Sequence, residues 1–195
     1  HADNKIVLTC VAMFSFWHGY ERLLYGLKNY LAEGNKMYRF EINFVGEGPE
    51  LGLYRQIVAE NQLDKYVVFH GKKFGDELDE IYASTDIGIS CLGCYKKKID
   101  IIGDLKTREY LAKGIPTISG CRVDLFADGI DTDYYREVPN DDTPIDMFKV
   151  IEFHEYLQEK RKNSPIAELM HEYSIKKFDY DNTILPVIRK MQEMC

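Results

Sequence analysis

Residues 6–12 (IVLTCVA) form a continuous apolar run that contains several β-branched residues. Because it lacks the alternation of a half-exposed strand, this run predicts a strand covered on both faces, as in a parallel sheet flanked by helices. Apolar residues then recur with helical spacing, and Gly34 stands where a helix C-cap glycine is expected. They lie at positions 20, 23, 24, 27, 30 and 31. The start of the chain therefore predicts a strand, a loop and a helix.

The same unit recurs along the chain. The alternation of Phe40, Ile42 and Phe44 predicts a second strand, which ends at Gly46 and precedes a helix over positions 51–58. Further strands are predicted at 66–69, 87–90 and 116–119, and further helices at 76–82, capped by Asp76, and at 105–113. Such a repeat favours an α/β fold with a doubly wound, Rossmann-like parallel sheet.

Helical patterns fill the last part of the chain, at 146–162, 165–173 and 180–194. The length of 195 residues and the 45% hydrophobic content fit one globular domain with an ordinary core. We therefore expect a single domain over 1–195, with a sheet core at 5–145 and a helical part at 146–195. Because the chain begins at His1 without an initiator methionine, we also expect it to be a piece of a longer protein.

Charge and cysteine content narrow the classes of function. A net charge of −7 argues against binding to a nucleic-acid backbone, and no apolar stretch is long enough to span a bilayer. The five cysteines are odd in number and scattered, which favours reduced thiols in the cytoplasm. Cys91 and Cys94 form a CxxC, but without a second pair they predict buried thiols at a strand end and no metal site.

In a doubly wound sheet the ligand crevice lies beyond the carboxyl ends of the strands, so the loops at those ends hold the candidate residues. Gly46 and Gly48 form part of a dinucleotide-binding pattern, although a tight turn that starts a helix suits them equally well. On the helix at 105–113, Lys106 and Glu109 share a face with Lys113. Lys106 could neutralise a diphosphate and Glu109 could accept ribose hydroxyls. The alternative is that these three charged side chains form a solvent-exposed helix face with salt bridges and bind no ligand.

Two further loops carry candidate groups. His18 and Gly19 precede the first long helix, where free N–H groups favour an anion and His18 could add a donor; an ordinary polar loop is the alternative. Trp17 is interpreted as a hydrophobic plug. The basic run at 96–98 is interpreted as a solvated loop, with closure on phosphates or contact with anionic lipid headgroups as the alternatives.

Three segments, in this order, resemble the C-terminal half of family 4 glycosyltransferases of the two-domain GT-B fold. They are GEGPE, VVFHGKKFGDELDEIYASTDIGIS and KTREYLAKGIPTISG, of which the last is the most specific. The segment FWHGYERLLYGL is similar to members that act in bacterial surface polysaccharide synthesis. The resemblance runs from about residue 6 to residue 119.

The resemblance implies a donor-binding domain of a retaining glycosyltransferase, a hexosyltransferase type, with a nucleotide-diphosphate sugar of the UDP or GDP type as donor and no other cofactor. The acceptor, a glycan or a lipid-linked saccharide, would bind to an N-terminal domain absent from this chain. The isolated domain would then bind donor without turnover. The enzyme would work at the cytoplasmic face of a membrane, and the resemblance leaves open a peripheral association of the full-length protein with it.

The resemblance also implies roles for individual residues. Glu109 matches the second glutamate of the family's EX7E motif and would hold the ribose, with Lys106 near the diphosphate as its catalytic companion. The stretch from His70 through Gly71 and Lys72 to Lys73 would contact the base, and further donor-binding residues are His18, Gly19, Gly46 and Gly48.

The sequence departs from the family pattern at two places. No arginine lies between residues 6 and 18, so one or both of the cations that usually bind phosphate in this loop of the family are missing. His18 could replace them only in part. The first EX7E glutamate falls at Ile101, which cannot accept a hydrogen bond, and Asp100 or Asp104 would serve only with a shifted loop. Two alternatives therefore remain: a sugar-nucleotide epimerase of related architecture, and a non-catalytic nucleotide-binding or interaction domain.

Overall fold

A computed structural model describes residues 4–34, 37–126 and 132–194 of the chain. The strands are β1 (Lys5–Val11), β2 (Arg39–Val45), β3 (Val67–Gly71), β4 (Ile87–Ile89), β5 (Ile101–Ile102), β6 (Thr117–Ser119), β7 (Arg122–Val123) and β8 (Tyr135–Glu137). The α-helices are α1 (Glu21–Ala32), α2 (Leu51–Glu60), α3 (Asp76–Ala83), α4 (Leu105–Ala112), α5 (Met147–Arg161), α6 (Ile166–Phe178), α7 (Tyr180–Thr183) and α8 (Leu185–Glu193). One-turn 3-10 helices at Phe16–His18 and Cys94–Lys97 flank the candidate site.

Six strands form one parallel sheet in the order β3-β2-β1-β4-β6-β8, which confirms the predicted doubly wound fold. The chain adds strands in one direction from β1 to β3 and then returns to place β4 on the other side of β1. The junction of β1 and β4 is therefore the topological switch point, where such sheets form a crevice.

The register shows where the sheet opens. β1 pairs with β2 along its whole length, from Lys5 opposite Arg39 to Val11 opposite Val45. It pairs with β4 only at Leu8 and Thr9. Beyond Thr9 the hydroxyl of Tyr110, on α4, accepts a hydrogen bond from Val11 N (3.1 Å) and donates one to Thr9 O (3.0 Å). The Tyr110 hydroxyl thus provides hydrogen-bond partners for backbone groups at the end of β1. It also connects α4 to the place where β1 and β4 separate.

The buried core explains why residues 6–12 form a continuous apolar run. Ile6, Val7, Leu8 and Cys10 of β1 are fully buried, since helices cover both faces of the sheet. The main apolar cluster contains residues of β1, β2 and β4, residues on the inward faces of α1 and α2, and buried residues of α5. On the opposite face, α3 and α4 meet through an edge-to-face contact of Tyr82 and Tyr110.

Several local predictions were wrong in detail. Gly75 is the N-cap of α3, and Asp76 lies instead in its first turn, where a carboxylate still favours the helix dipole. The helix predicted at 180–194 is two helices, because the chain breaks at Ile184 and restarts with Pro186 in the first turn of α8. The strands β5, β7 and β8, of two or three residues each, were not predicted. In the described part of the chain no helix is long and apolar enough to cross a bilayer.

Candidate functional site

A cavity of about 1050 Å³ lies at the switch point, beyond the carboxyl ends of β1, β2 and β4. This volume is at the upper end of the range for small-molecule sites, about 300 to 1,000 Å³. Most of the predicted site residues line it: His18, Gly46, Gly48, Lys72, Lys73, Lys106 and Glu109. Ile101 and Asp104 also belong to its wall.

The remaining predicted residues lie behind the wall or away from it. Gly19 packs its backbone against Gly93, and Gly71 ends β3 without lining the cavity. Lys113, predicted to share a face with Lys106, pairs with Asp79 (2.7 Å) outside the cavity.

Two glycines bring the loops after β1 and β2 into contact. Gly46 has a φ of 130° and Gly48 a φ of 150°, a region that disfavours side chains. A Cβ on Gly46 would lie 1.9 Å from Ala12 O, and one on Gly48 would lie 2.4 Å from Phe14 O. The predicted tight turn before the helix is therefore present, and both glycines also line the cavity.

The N-terminus of α4 is a polar network centred on Asp104. This residue caps the helix by accepting a hydrogen bond from Thr107 N (3.1 Å), and its other oxygen accepts one from Ser90 Oγ (2.7 Å). Lys106 Nζ lies 3.0 Å from the same carboxylate. Burial opposes the charge of Asp104, but Lys106 and the hydroxyl donors outweigh it, so the pKa of Asp104 is lowered. The sequence signal for this network is an aspartate, a residue type that favours the N-cap, directly before the helix predicted at 105–113.

Lys106 has two protein partners. Besides Asp104 it donates to Cys91 Sγ (3.4 Å). Burial disfavours its charge, yet Cys91 and Asp104 outweigh that effect and raise the pKa of Lys106. The ammonium therefore stays charged in a half-buried position, and one of its three N–H groups is left for a ligand.

Glu109 lies one turn further along α4, where its Oε2 accepts a hydrogen bond from the Tyr82 hydroxyl (3.0 Å). It is exposed to the cavity, so it can accept hydrogen bonds from a ligand's hydroxyl groups.

His18 is a donor in this site and not a cation. Its Nδ1 accepts the N–H of Ser15 (2.9 Å), so in the neutral ring Nε2 carries the proton. Burial, reinforced by the charge of Lys106, lowers the pKa of His18 to about 4. In the free protein the ring is therefore uncharged near neutral pH, so what it offers an anion is the N–H of Nε2.

We expect His18 to make the free energy of unfolding depend on pH. The unfolded ring takes up a proton near pH 6.5 and the folded ring only near pH 4, so stability is lost as the pH falls through this window. Between pH 7 and pH 5 this loss amounts to about 2 kcal/mol. Urea denaturation of wild type and His18→Asn at both pH values measures it. Equal pH dependence of the two proteins would contradict the burial of a neutral His18.

The aromatic and sulfur-containing side of the cavity differs from the sequence expectation in part. Cys91 and Cys94 are buried, as predicted, and cluster with Cys121. Trp17 packs against this cluster as a partial plug, but it also lines the cavity. In the described residues no group of His, Cys, Asp and Glu is arranged to hold a metal ion.

Neither a family model nor a curated protein matches the sequence. Solved structures do match the fold. A glycosyltransferase from Rickettsia africae ESF-5 superimposes with a TM-score of 0.71 at 15% identity, over 98% of this chain and 48% of that one. HepE from Anabaena, in complex with UDP, gives 0.70 at 13%, over 97% and 49%. The pneumococcal O-GlcNAc transferase GtfA, in complex with UDP and GlcNAc, gives 0.65 at 15%, over 98% and 36%.

These similarities show that the chain has a fold found in GT-B glycosyltransferases. It spans about half the length, or less, of the proteins it matches.

Proposed function

We propose that the chain is the donor-binding half of a retaining, hexosyltransferase-type glycosyltransferase. It binds a nucleotide-diphosphate sugar, of the UDP or GDP type, for transfer to a glycan or lipid-linked acceptor in bacterial surface polysaccharide synthesis. The observation that carries the proposal is the cavity at the switch point, which brings Lys106, Glu109 and the two glycine turns together. Support comes from similar folds solved in complex with UDP.

The chemistry of the wall suits such a donor. Glu109 is an acceptor for the two ribose hydroxyls, and Lys106 offers an N–H for a phosphate oxygen. In retaining transfer the sugar leaves a diphosphate, whose negative charge must be stabilised as the glycosidic bond breaks. A lysine whose charge is maintained by Asp104 and Cys91 meets that need without a general base from this chain.

The mouth of the cavity has an exposed apolar surface that suits contact with a second domain. Four apolar side chains at the mouth are exposed: Met13 (73%), Ile101 (52%), Phe74 (75%) and Leu105 (82%). An acceptor-binding half placed there would cover them and complete the reaction site. We therefore propose that the isolated chain binds donor without turnover and that the whole enzyme works at the cytoplasmic face of a membrane.

One observation favours a second candidate function, a non-catalytic nucleotide-binding domain. Ile101 is exposed into the cavity, where the motif would place a glutamate. The epimerase alternative has less support, because Asp104 is occupied by Ser90, Thr107 and Lys106 and is therefore a poor proton donor or acceptor for a substrate.

Calorimetric titration with UDP, GDP and ADP, each with and without its sugar, tests the proposal. We expect saturable binding of one nucleotide, and a loss of about tenfold or more in Lys106→Gln and Glu109→Ala, because each removes a charge-assisted hydrogen bond. Lys113→Gln, at the C-cap of α4, and Glu80→Ala, on α3, lie outside the cavity and are matched controls. Folded wild-type protein that binds none of the nucleotides, or equal binding by the site variants and controls, would contradict the proposed site.

A thiol provides an independent reporter of occupancy. The hydrogen bond with Cys94 and the charge of Lys106 outweigh burial and lower the pKa of Cys91 to about 7, whereas burial raises that of Cys10 well above its usual range. At pH 7.5 we expect iodoacetamide to modify Cys91 far faster than Cys10, with the bound nucleotide slowing the reaction. Peptide mass spectrometry reads each cysteine separately. Modification of Cys91 at the same rate with saturating nucleotide would place the ligand elsewhere.

A further inference from the structure

The cavity has an uneven distribution of charge. Four lysines line it, and three of them already have carboxylate partners. The pairs are Lys72 with Glu47 (3.0 Å), Lys73 with Glu77 (2.5 Å) and Lys106 with Asp104 (3.0 Å). An anion that approaches these lysines meets charge that is already partly neutralised.

The fourth lysine, Lys97, is different. Among the described residues no carboxylate lies within ion-pair distance of its Nζ. This atom lies over the ring of Trp17 instead, 3.2 Å from the centroid. A cation on an aromatic face keeps its full charge and has N–H groups free on the side away from the ring. Lys97 is therefore the cavity cation with the least neutralised charge in the described part of the chain.

The rest of the basic run does not share this position. Lys96 pairs with Glu21 and donates to Phe16 O (3.0 Å), and Lys98 ends the one-turn helix without lining the cavity. Lys97 and Lys98 are exposed, as the solvated-loop interpretation of residues 96–98 predicts, but the loop is folded and Lys97 belongs to the cavity wall.

The backbone holds this loop against the segment that carries Trp17. Leu92 N donates to His18 O (2.7 Å), and Gly19 and Gly93 are close enough that a Cβ on Gly93 would lie 2.9 Å from Gly19 Cα. Trp17 itself packs between the cysteine cluster and the ring of His18. Lys97, Trp17 and the neutral donor His18 therefore form one end of the cavity wall.

We propose that Lys97 binds the phosphate groups of the nucleotide and that Trp17 positions it for this contact. The inference rests on the proposed function and adds a phosphate-binding residue to it. No carboxylate among the described residues competes with a phosphate for Lys97, whereas Lys72, Lys73 and Lys106 each share their charge with a carboxylate partner. The neutral Nε2–H of His18 is an additional donor at the same end of the cavity.

Lys97→Gln tests the proposal, with Lys97→Arg as the conservative variant and Lys98→Gln as the matched control in the same loop. NMR titration with the nucleoside diphosphate that binds wild type, and with the corresponding nucleoside, measures both affinities. We expect Lys97→Gln to weaken diphosphate binding about tenfold or more, to leave nucleoside binding unchanged and to reduce the salt dependence of binding. Lys97→Arg should recover most of the affinity, and Lys98→Gln should bind as wild type does.

The possible failures are distinguishable. If wild type binds no nucleoside diphosphate, the proposed function itself is wrong. If wild type binds and Lys97→Gln binds equally well, only the role of Lys97 is wrong. Trp17→Leu, checked by thermal unfolding, should weaken diphosphate binding in wild type and have no further effect in Lys97→Gln; an equal loss of nucleoside affinity would overturn the positioning role of Trp17.

Discussion

Replacement of Arg22 by methionine is expected to lower the free energy of unfolding by about 3 to 5 kcal/mol. Arg22 is 2% exposed although it lies in the first turn of α1. Its guanidinium donates to Leu92 O, to Thr143 O (2.6 Å) and to Pro139 O (2.9 Å), and it lies 3.3 Å from Asp141 Oδ1. Methionine fills similar space but leaves these carbonyl groups without their donor.

The effect is large because Arg22 links three distant segments. Leu92 follows β4, and residues 139–143 precede α5, so the side chain connects α1, the β4 loop and the approach to α5. A buried acceptor that loses its partner costs about 1 to 3 kcal/mol. Since a domain of this size is stabilised by about 5 to 15 kcal/mol, the loss is a large part of the total.

Urea denaturation followed by circular dichroism measures the change. Arg55→Met, on the exposed face of the neighbouring helix α2, is the matched control and should change stability by no more than about 1 kcal/mol, the value of its cation–π contact with Phe69. Arg22→Lys should give an intermediate loss, because one ammonium cannot reach all the acceptors. If Arg22→Met and Arg55→Met have the same midpoint, the buried guanidinium contributes little to stability.

Arg22 also shows what the sequence could not predict. The apolar stripe of α1 places Leu23, Leu24 and Leu27 inward, and this part of the prediction is confirmed. The stripe gives no reason to bury an arginine, whose partners lie about 70 to 120 residues away along the chain. The order of strands and helices followed from local periodicity, because each βα unit buries its own apolar face.

The candidate site also has some features that the sequence predicted and others that it did not. Its location followed from the fold, since strand order alone fixes the switch point, and Gly46, Gly48, Lys106 and Glu109 were predicted to lie there. The charge states of the side chains in the site did not follow from the sequence. That His18 is neutral depends on the N–H of Ser15 and on burial, and that Lys97 differs from Lys96 depends on which of them meets Glu21. Such properties arise from tertiary contacts that a linear pattern does not specify.

Replacement of Gly46 by alanine should weaken nucleotide binding more than the loss of any single side-chain contact in the cavity. A Cβ at this position would lie 1.9 Å from Ala12 O and 3.0 Å from Ala12 C, so the backbone after β1 must move. Gly46 N also donates to Gly71 O (2.8 Å), and Ala12 N donates to Val45 O (3.0 Å), so a shift would disturb the ends of β1, β2 and β3 together. The ends of β1 and β2 line the cavity.

We expect Gly46→Ala to lose at least about 2 kcal/mol of stability from the clash and the positive φ, and to reduce nucleotide affinity more than either Lys106→Gln or Glu109→Ala. The reason is geometric, because a displaced loop moves the donors on both strands at once whereas a side-chain variant removes one contact. Calorimetry below the unfolding temperature of the variant separates lost affinity from lost folding.

Gly52→Ala is the control for the substitution itself. Gly52 lies within α2, and a Cβ there meets nothing within 4 Å, so alanine should stabilise the helix by up to about 1 kcal/mol and leave binding unchanged. Binding by Gly46→Ala that equals binding by Gly52→Ala would mean that the loops after β1 and β2 can separate without loss of the site. The close approach of these loops would then be a feature of the fold alone, and the nucleotide contacts would have to come from α4 and from the loop that carries Lys97.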